Sequence, residues 1–223
     1  MIVIDDFIKD KKYLKELTLK KDEFFKDLYD SDNYAHDVNW WKGWWVDKPK
    51  NINQELIKYI VSDLYLKGLI NSLNIKGFEY WTHIHSTKKL IEIGKRTVST
   101  TRHLGWHTNK DELLHYETKE FKHPIFSIIF WPFEQDVDGG YLEMSPIRQE
   151  EEEIQILGYR HCTDCGKEKI PFDVERIKPK YNRLVIQDPS YWHRVTHVEN
   201  GTRWTFVIDV WDTEIVINNK MER

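Results

Sequence analysis

From residue 78 onward the sequence is a succession of short runs in which apolar and polar side chains alternate, each closed by turn-forming residues. The runs are 78–84, 97–107, 125–133, 141–144, 183–187 and 202–211. Alternation of period two puts every second side chain on one face, which suits a half-buried strand and not a helix. The first seventy residues follow another rule. Residues 10–28 set Tyr13, Leu14, Leu17, Phe24, Phe25 and Leu28 at helical spacing, and residues 52–73 do the same with Leu56, Tyr59, Ile60, Leu64 and Leu69. Helices gathered ahead of many short strands predict a mainly β, α+β chain, an antiparallel sandwich or barrel buttressed by helices.

Composition narrows the class. A 223-residue chain that is 40% hydrophobic and 14% aromatic can bury a real core and fits one domain. We expect a helical buttress over 1–75 and a β core over 76–223, with a surface insertion at 146–180. A net charge of −4 argues against a general nucleic-acid or membrane-surface binder. The N-terminus carries acids where a secretory leader needs a basic start, and no apolar stretch approaches the ~20 residues that span a bilayer. A cytoplasmic location is the expectation.

The densest information lies in 181–205. Asn200-Gly201 is a hairpin signal, and the loop length decides which side chains share a face. A two-residue loop would send His193 and Arg203 to opposite faces. A three-residue loop, Glu199-Asn200-Gly201 with Gly201 left-handed, would put His193, Val195, His197, Arg203, Thr205 and Val207 on one face. We adopt the second. His193 then stands roughly 13 Å along the strand from the partner of Arg203. A metal at His193 would leave room for a short dicarboxylate, one end chelating and the other paired bidentately with the guanidinium.

A second imidazole comes from His107, at the end of a strand, with residue 109 projecting to the same side. Non-haem Fe(II) oxygenases use two histidines and one carboxylate on one face and leave the other positions open. His107 and His193 supply the histidines.

These residues resemble the Fe(II)/2-oxoglutarate-dependent dioxygenases, nearest the prolyl 4-hydroxylase-like branch. That family carries His-x-Asp at a strand end, a distal His, and an Arg or Lys about ten residues later. Here His107 and His193 are 86 residues apart, and Arg203 follows by ten. Ser127-Ile128-Ile129-Phe130-Trp131, followed by Asp138-Gly139-Gly140-Tyr141-Leu142, is similar to the family's strand and Gly-Gly-x-Leu. The resemblance covers 97–211 and implies a double-stranded β-helix, or jelly roll. It also implies iron, 2-oxoglutarate and O₂, with ascorbate as an auxiliary reductant. It assigns His107 and His193 to the metal, and Arg203 and Thr205 to the co-substrate, with Phe130 and Leu142 lining its pocket. The implied substrate is a peptidyl side chain such as proline ahead of a small molecule. A nucleic-acid substrate is not expected, because the DNA-dealkylating branch's second arginine would fall on Asp209.

One position departs from the pattern: Asn109 stands where the family has Asp. Three readings follow. Asn109 coordinates through its oxygen; Asp111, of the same parity, takes over as carboxylate; or the chain is a jelly-roll binding module without turnover. A cupin using another metal is a further alternative.

Other conspicuous residues read as structure. His197 sits near the hairpin end, and His103, His115 and His123 read as surface or loop residues. Cys162 and Cys165 with His161 are half a zinc site and read as free surface thiols. Glu150 to Glu153 read as a solvated run. The four tryptophans of 40–45 are either a stacking platform or a plug joining helices to sheet.

Overall fold

In the computed structural model, residues 1–26, 39–71, 74–149 and 173–215 are described. Leu28, Glu150 to Glu153, His161, Cys162 and Cys165 lie outside them. Among the described residues no helix is long and apolar enough to cross a membrane.

Two antiparallel sheets face each other. The larger one has the order β1 (Ile2–Ile4), β11 (Arg183–Gln187), β7 (Phe126–Trp131), β13 (Val198–Trp211), β3 (Gly77–Ser86) and β2 (Asn39–Trp41), with β8 (Asp136–Gly139) also paired to β13. The smaller one runs β10 (Glu175–Ile177), β9 (Leu142–Arg148), β12 (Tyr191–Val195) and β6 (Leu104–His107). This is a jelly roll buttressed by helices, as expected. A separate hairpin joins β4 (Leu90–Ile93) to β5 (Arg96–Ser99), so the run 97–107 is two strands rather than one. Residues 146–149 and 175–177 of the expected insertion belong to strands or their ends, since β10 pairs with β9.

The larger sheet is buried on both faces. Its outer face carries Phe78, Tyr80, Ile128, Phe130, Phe206, Ile208 and Val210. Against it pack α1 (Lys11–Leu19), α2 (Lys21–Phe24) and α3 (Ile52–Leu66) through Leu17, Phe24, Leu56, Ile60 and Leu64. Asp10 caps α1 by accepting from the Lys12 and Tyr13 amides, and Asn51 caps α3 through the Gln54 amide. Helix α3 ends earlier than its apolar spacing suggests. Gly68 turns left-handed and the Gly68 and Leu69 amides close onto Tyr65 and Leu64. Trp44 stacks on Phe78 at 5.8 Å and Trp41 packs tilted against it at 5.7 Å, so these two tryptophans plug the space between helices and sheet.

The inner face carries the alternate residues. Ile129, Trp131, Val185 and Val207 of the larger sheet meet Leu142 and Ile177 of the smaller one in an apolar layer. This parity corrects one expectation. Phe130 faces the helices and packs edge-on to Phe7 at 6.1 Å, so it lines no inner pocket. Leu142 does face inward.

The expected hairpin at Asn200-Gly201 does not form. Strand β12 pairs with β6 and β9 of the smaller sheet, while β13 pairs with β3, β7 and β8 of the larger one. The chain changes sheets at Thr196-His197. Gly201 is left-handed, as expected, but within β13 opposite Val137, where a Cβ would lie 1.8 Å from the Asp136 carbonyl oxygen. Only the two-versus-one irregularity between Val198 and Asn200 marks the spot.

Candidate functional site

His107 and His193 are register partners on adjacent strands of the smaller sheet, and Met144 of β9 completes their row. Their rings lie 4.3 Å apart between centroids. Their neighbours Trp106 and Trp192 point to the other side, where they form a separate buried cluster. Arg194 crosses Trp106 there and bonds Glu143 at 2.7 Å, and Glu143 also pairs with Arg176.

Both imidazoles are oriented the same way. His107 Nδ1 lies 2.8 Å from the Gly105 carbonyl, and His193 Nδ1 lies 2.9 Å from that of Tyr191. A carbonyl only accepts, so the proton sits on Nδ1 and the lone pair on Nε2. Burial holds His193 neutral, pulling its pKa down to about 4. Burial and then the neighbouring His193 push His107 well below the ordinary imidazole value. Two neutral imidazoles with free Nε2 lone pairs and carbonyl-anchored Nδ1 protons are the donor set a divalent transition metal takes.

The third position has two candidates from the sequence, the Asn109 amide and the Asp111 carboxylate. Asp111 caps α4 (Glu112–Thr118), accepting from the Leu114 amide at 3.0 Å. Beyond the strand end the chain leaves extended geometry, so the parity that would have aligned 111 with 107 no longer applies. Among the described residues, no group of three His, Cys, Asp or Glu forms a metal site. Asn109 donates its amide to Asp209 Oδ1 at 3.0 Å and to Ser127 Oγ at 3.3 Å. Its oxygen accepts no hydrogen bond among the described residues and is the remaining donor atom for a metal from that position. His123, expected at the surface, is half-buried with Nδ1 2.7 Å from the Asn109 carbonyl.

Asp209 belongs to a polar row across the inner face of the larger sheet. Gln187 is opposite Ser127, Ser127 opposite Asp209, and Asp209 opposite Glu79. Ser127 bonds Asp209, and Trp211 Nε1 donates to Glu79 at 3.1 Å. Burial raises Asp209 to about 7, and burial together with Asp209 raises Glu79 well above the carboxylate range.

Arg203 and Thr205 lie on the inner face of β13, facing the sheet that carries the histidines. Arg203 is 2% exposed and Thr205 1%. Among the described residues no acid pairs with Arg203. Its guanidinium lies over the Trp131 ring at 5.4 Å and its Nη1 is 3.3 Å from His85 Nδ1. Arg203 Nε, Thr205 Oγ1, His85 Nε2 and Trp131 Nε1 are buried and unpartnered. A buried cation among unused donors is costly in isolation and calls for an anionic ligand. The Gly139-Gly140 turn explains itself here. Both residues are left-handed, and a Cβ on Gly140 would come within 3.2 Å of Arg203 Cδ, so the bare backbone makes room for the arginine stem.

His83 and His85 are the inner-face residues that sequence reasoning missed. His85 is depressed by burial first, then by Arg203, His83, His103 and His107, so it stands within electrostatic reach of both Arg203 and His107. His197 and His103 pair with each other at 4.4 Å. The available signal was the strand alternation that sets Glu79, Trp81, His83 and His85 on one side.

The fold is that of the 2-oxoglutarate-dependent oxygenases, prolyl hydroxylases among them. A non-heme alpha-ketoglutarate-dependent carbocyclase, SnoK from nogalamycin biosynthesis, superposes with a TM-score of 0.54 at 9% identity, over 97% of this chain and 81% of that one. A prolyl hydroxylase from Trichoplax adhaerens, solved with a hypoxia-inducible-factor peptide, gives 0.51 at 15% identity, over 95% and 83%. SnoN, an epimerase from the same biosynthesis as SnoK, gives 0.51 at 8%, over 94% and 78%. No protein-family model matches the sequence, and no curated protein sequence matches it either.

Proposed function

We propose that this chain is a single-domain Fe(II)- and 2-oxoglutarate-dependent oxygenase of the prolyl 4-hydroxylase-like branch. His107 and His193 would hold the metal through Nε2, with the Asn109 oxygen as third protein donor. Arg203 and Thr205 would bind the distal carboxylate of 2-oxoglutarate, and Leu142 would wall its methylenes. Bound iron with 2-oxoglutarate supplies the oxidising chemistry: one O₂ oxidises co-substrate and substrate, giving succinate, CO₂ and a hydroxylated product. The protein's own part is to orient both imidazoles through Gly105 and Tyr191, neutralise the co-substrate's far end and keep the reacting space dry.

The observation that carries this reading is the buried Arg203, with no acid paired to it among the described residues, on the sheet facing a neutral, pre-oriented histidine pair. A peptidyl side chain such as proline is the favoured substrate class, supported by the peptide-bound hydroxylase that shares the fold. Succinate formation from 2-oxoglutarate, Fe(II) and air tests it, with ascorbate as auxiliary reductant. Wild type should form succinate, and H193A and R203A should not.

A second reading has one observation in its favour: the side chain at the family's carboxylate position is the Asn109 amide, which donates to Asp209. A binding module of this kind would take up 2-oxoglutarate and release no succinate.

A further inference from the structure

We propose that His85 is a third protein donor to the distal carboxylate of the co-substrate, acting beside Arg203 and Thr205; this rests on the oxygenase reading above. Arginine has no acceptor atom, so in the 3.3 Å contact between Arg203 Nη1 and His85 Nδ1 the guanidinium donates. The His85 lone pair is therefore on Nδ1 and its proton on Nε2. A second proton is opposed by burial and by the adjacent guanidinium. The outcome is a neutral imidazole whose N–H tautomer is set by Arg203.

That Nε2–H is fully buried and meets no acceptor among the described residues. Leaving a donor in such a place costs on the order of 1–3 kcal/mol. The unused donors around it have one pattern. His85 is the register partner of Arg203, and Thr205 stands two residues along on the same face. Arg203 Nε and Thr205 Oγ1 are buried and unpartnered like His85 Nε2. A ligand that satisfies them is rich in acceptors and negatively charged, and a carboxylate fits one guanidinium, one imidazole N–H and one hydroxyl.

The test is calorimetric titration of 2-oxoglutarate into the full chain with saturating Mn(II). H85F keeps ring volume without a donor, and H85Q restores an N–H. H85F should weaken 2-oxoglutarate binding roughly tenfold or more with Mn(II) affinity unchanged, and H85Q should recover most of the loss. In the wild type, the His85 Nε2–H nitrogen and proton resonances should shift downfield on adding 2-oxoglutarate. Equal affinity of H85F and wild type, or an unmoved Nε2–H resonance in a saturated sample, overturns the role of His85 alone. A wild-type protein that binds no 2-oxoglutarate overturns the oxygenase reading with it.

Discussion

Asn109 donates its side-chain amide to Asp209 at 3.0 Å, and Asp209 is itself buried in a row with Ser127 and Glu79. The residue that departs from the family pattern is therefore complementary to its surroundings. An aspartate at 109 would set a second carboxyl group against Asp209 in a buried site. N109D is expected to destabilise the protein by on the order of 3 kcal/mol, and N109D/D209N to recover most of it. Denaturant unfolding of the two variants checks this. A harmless N109D would mean that the amide's orientation is incidental.

Arg203 sets function against stability. It is buried without an acid among the described residues, and burial lowers its pKa to about 9. Replacing it with methionine removes an uncompensated cation while keeping the volume. R203M should stabilise the metal-free protein by about 1–3 kcal/mol and weaken 2-oxoglutarate binding at least roughly a hundredfold. Urea unfolding and ligand titration read the two effects separately.

Stability should peak near pH 6.5. His83 and His193 titrate near 4 in the folded chain, and His85 and His107 lie well below the ordinary value. Their depressed values give stability that is present above 6.5 and lost as pH falls through about 4, because the unfolded chain takes the protons first. Asp209, raised to about 7, and Glu79 act oppositely. Their contribution is complete at low pH and is lost as pH rises through about 7. Between 4 and 6.5 five histidines, His103 included, outweigh two acids, and just above 6.5 the acids set the slope. Urea midpoints of the metal-free protein across pH should show this maximum, and D209N should flatten its alkaline side.

Glu143 holds the back of the histidine strand. It is fully buried and bonds Arg194, the residue after His193, while also pairing with Arg176. E143A strands the buried Arg194 and is expected to cost about 3–5 kcal/mol. E143Q, which keeps an acceptor, should cost less. Thermal unfolding of both variants is the check.

Where the sequence was readable, the reason was periodicity. Alternation marked the strands, and helical spacing marked α1 and α3. His107, His193 and Arg203 were picked out by spacing together with the family resemblance, although the hairpin used to align His193 with Arg203 does not exist. Local turn chemistry at Asn200-Gly201 yielded to pairing with β8, which is distant in sequence and carries no local mark. Phe130 was placed on the wrong face because β7 is buried throughout and shows no alternation. His83 and His85 escaped notice for a related cause, since their face is defined only once β13 lies beside β3. The parity argument for Asp111 extended strand geometry past the end of β6, where Asp111 instead caps α4.

The most direct measurement is anaerobic addition of Fe(II) and then 2-oxoglutarate to the purified chain, followed by visible absorption. The account predicts a weak charge-transfer band that saturates with 2-oxoglutarate, persists in E143Q, and is absent in H107A, H193A and R203M. Absence of the band in the wild type, or its persistence without His193, would contradict the convergence of two imidazoles and one guanidinium on a single iron and co-substrate site.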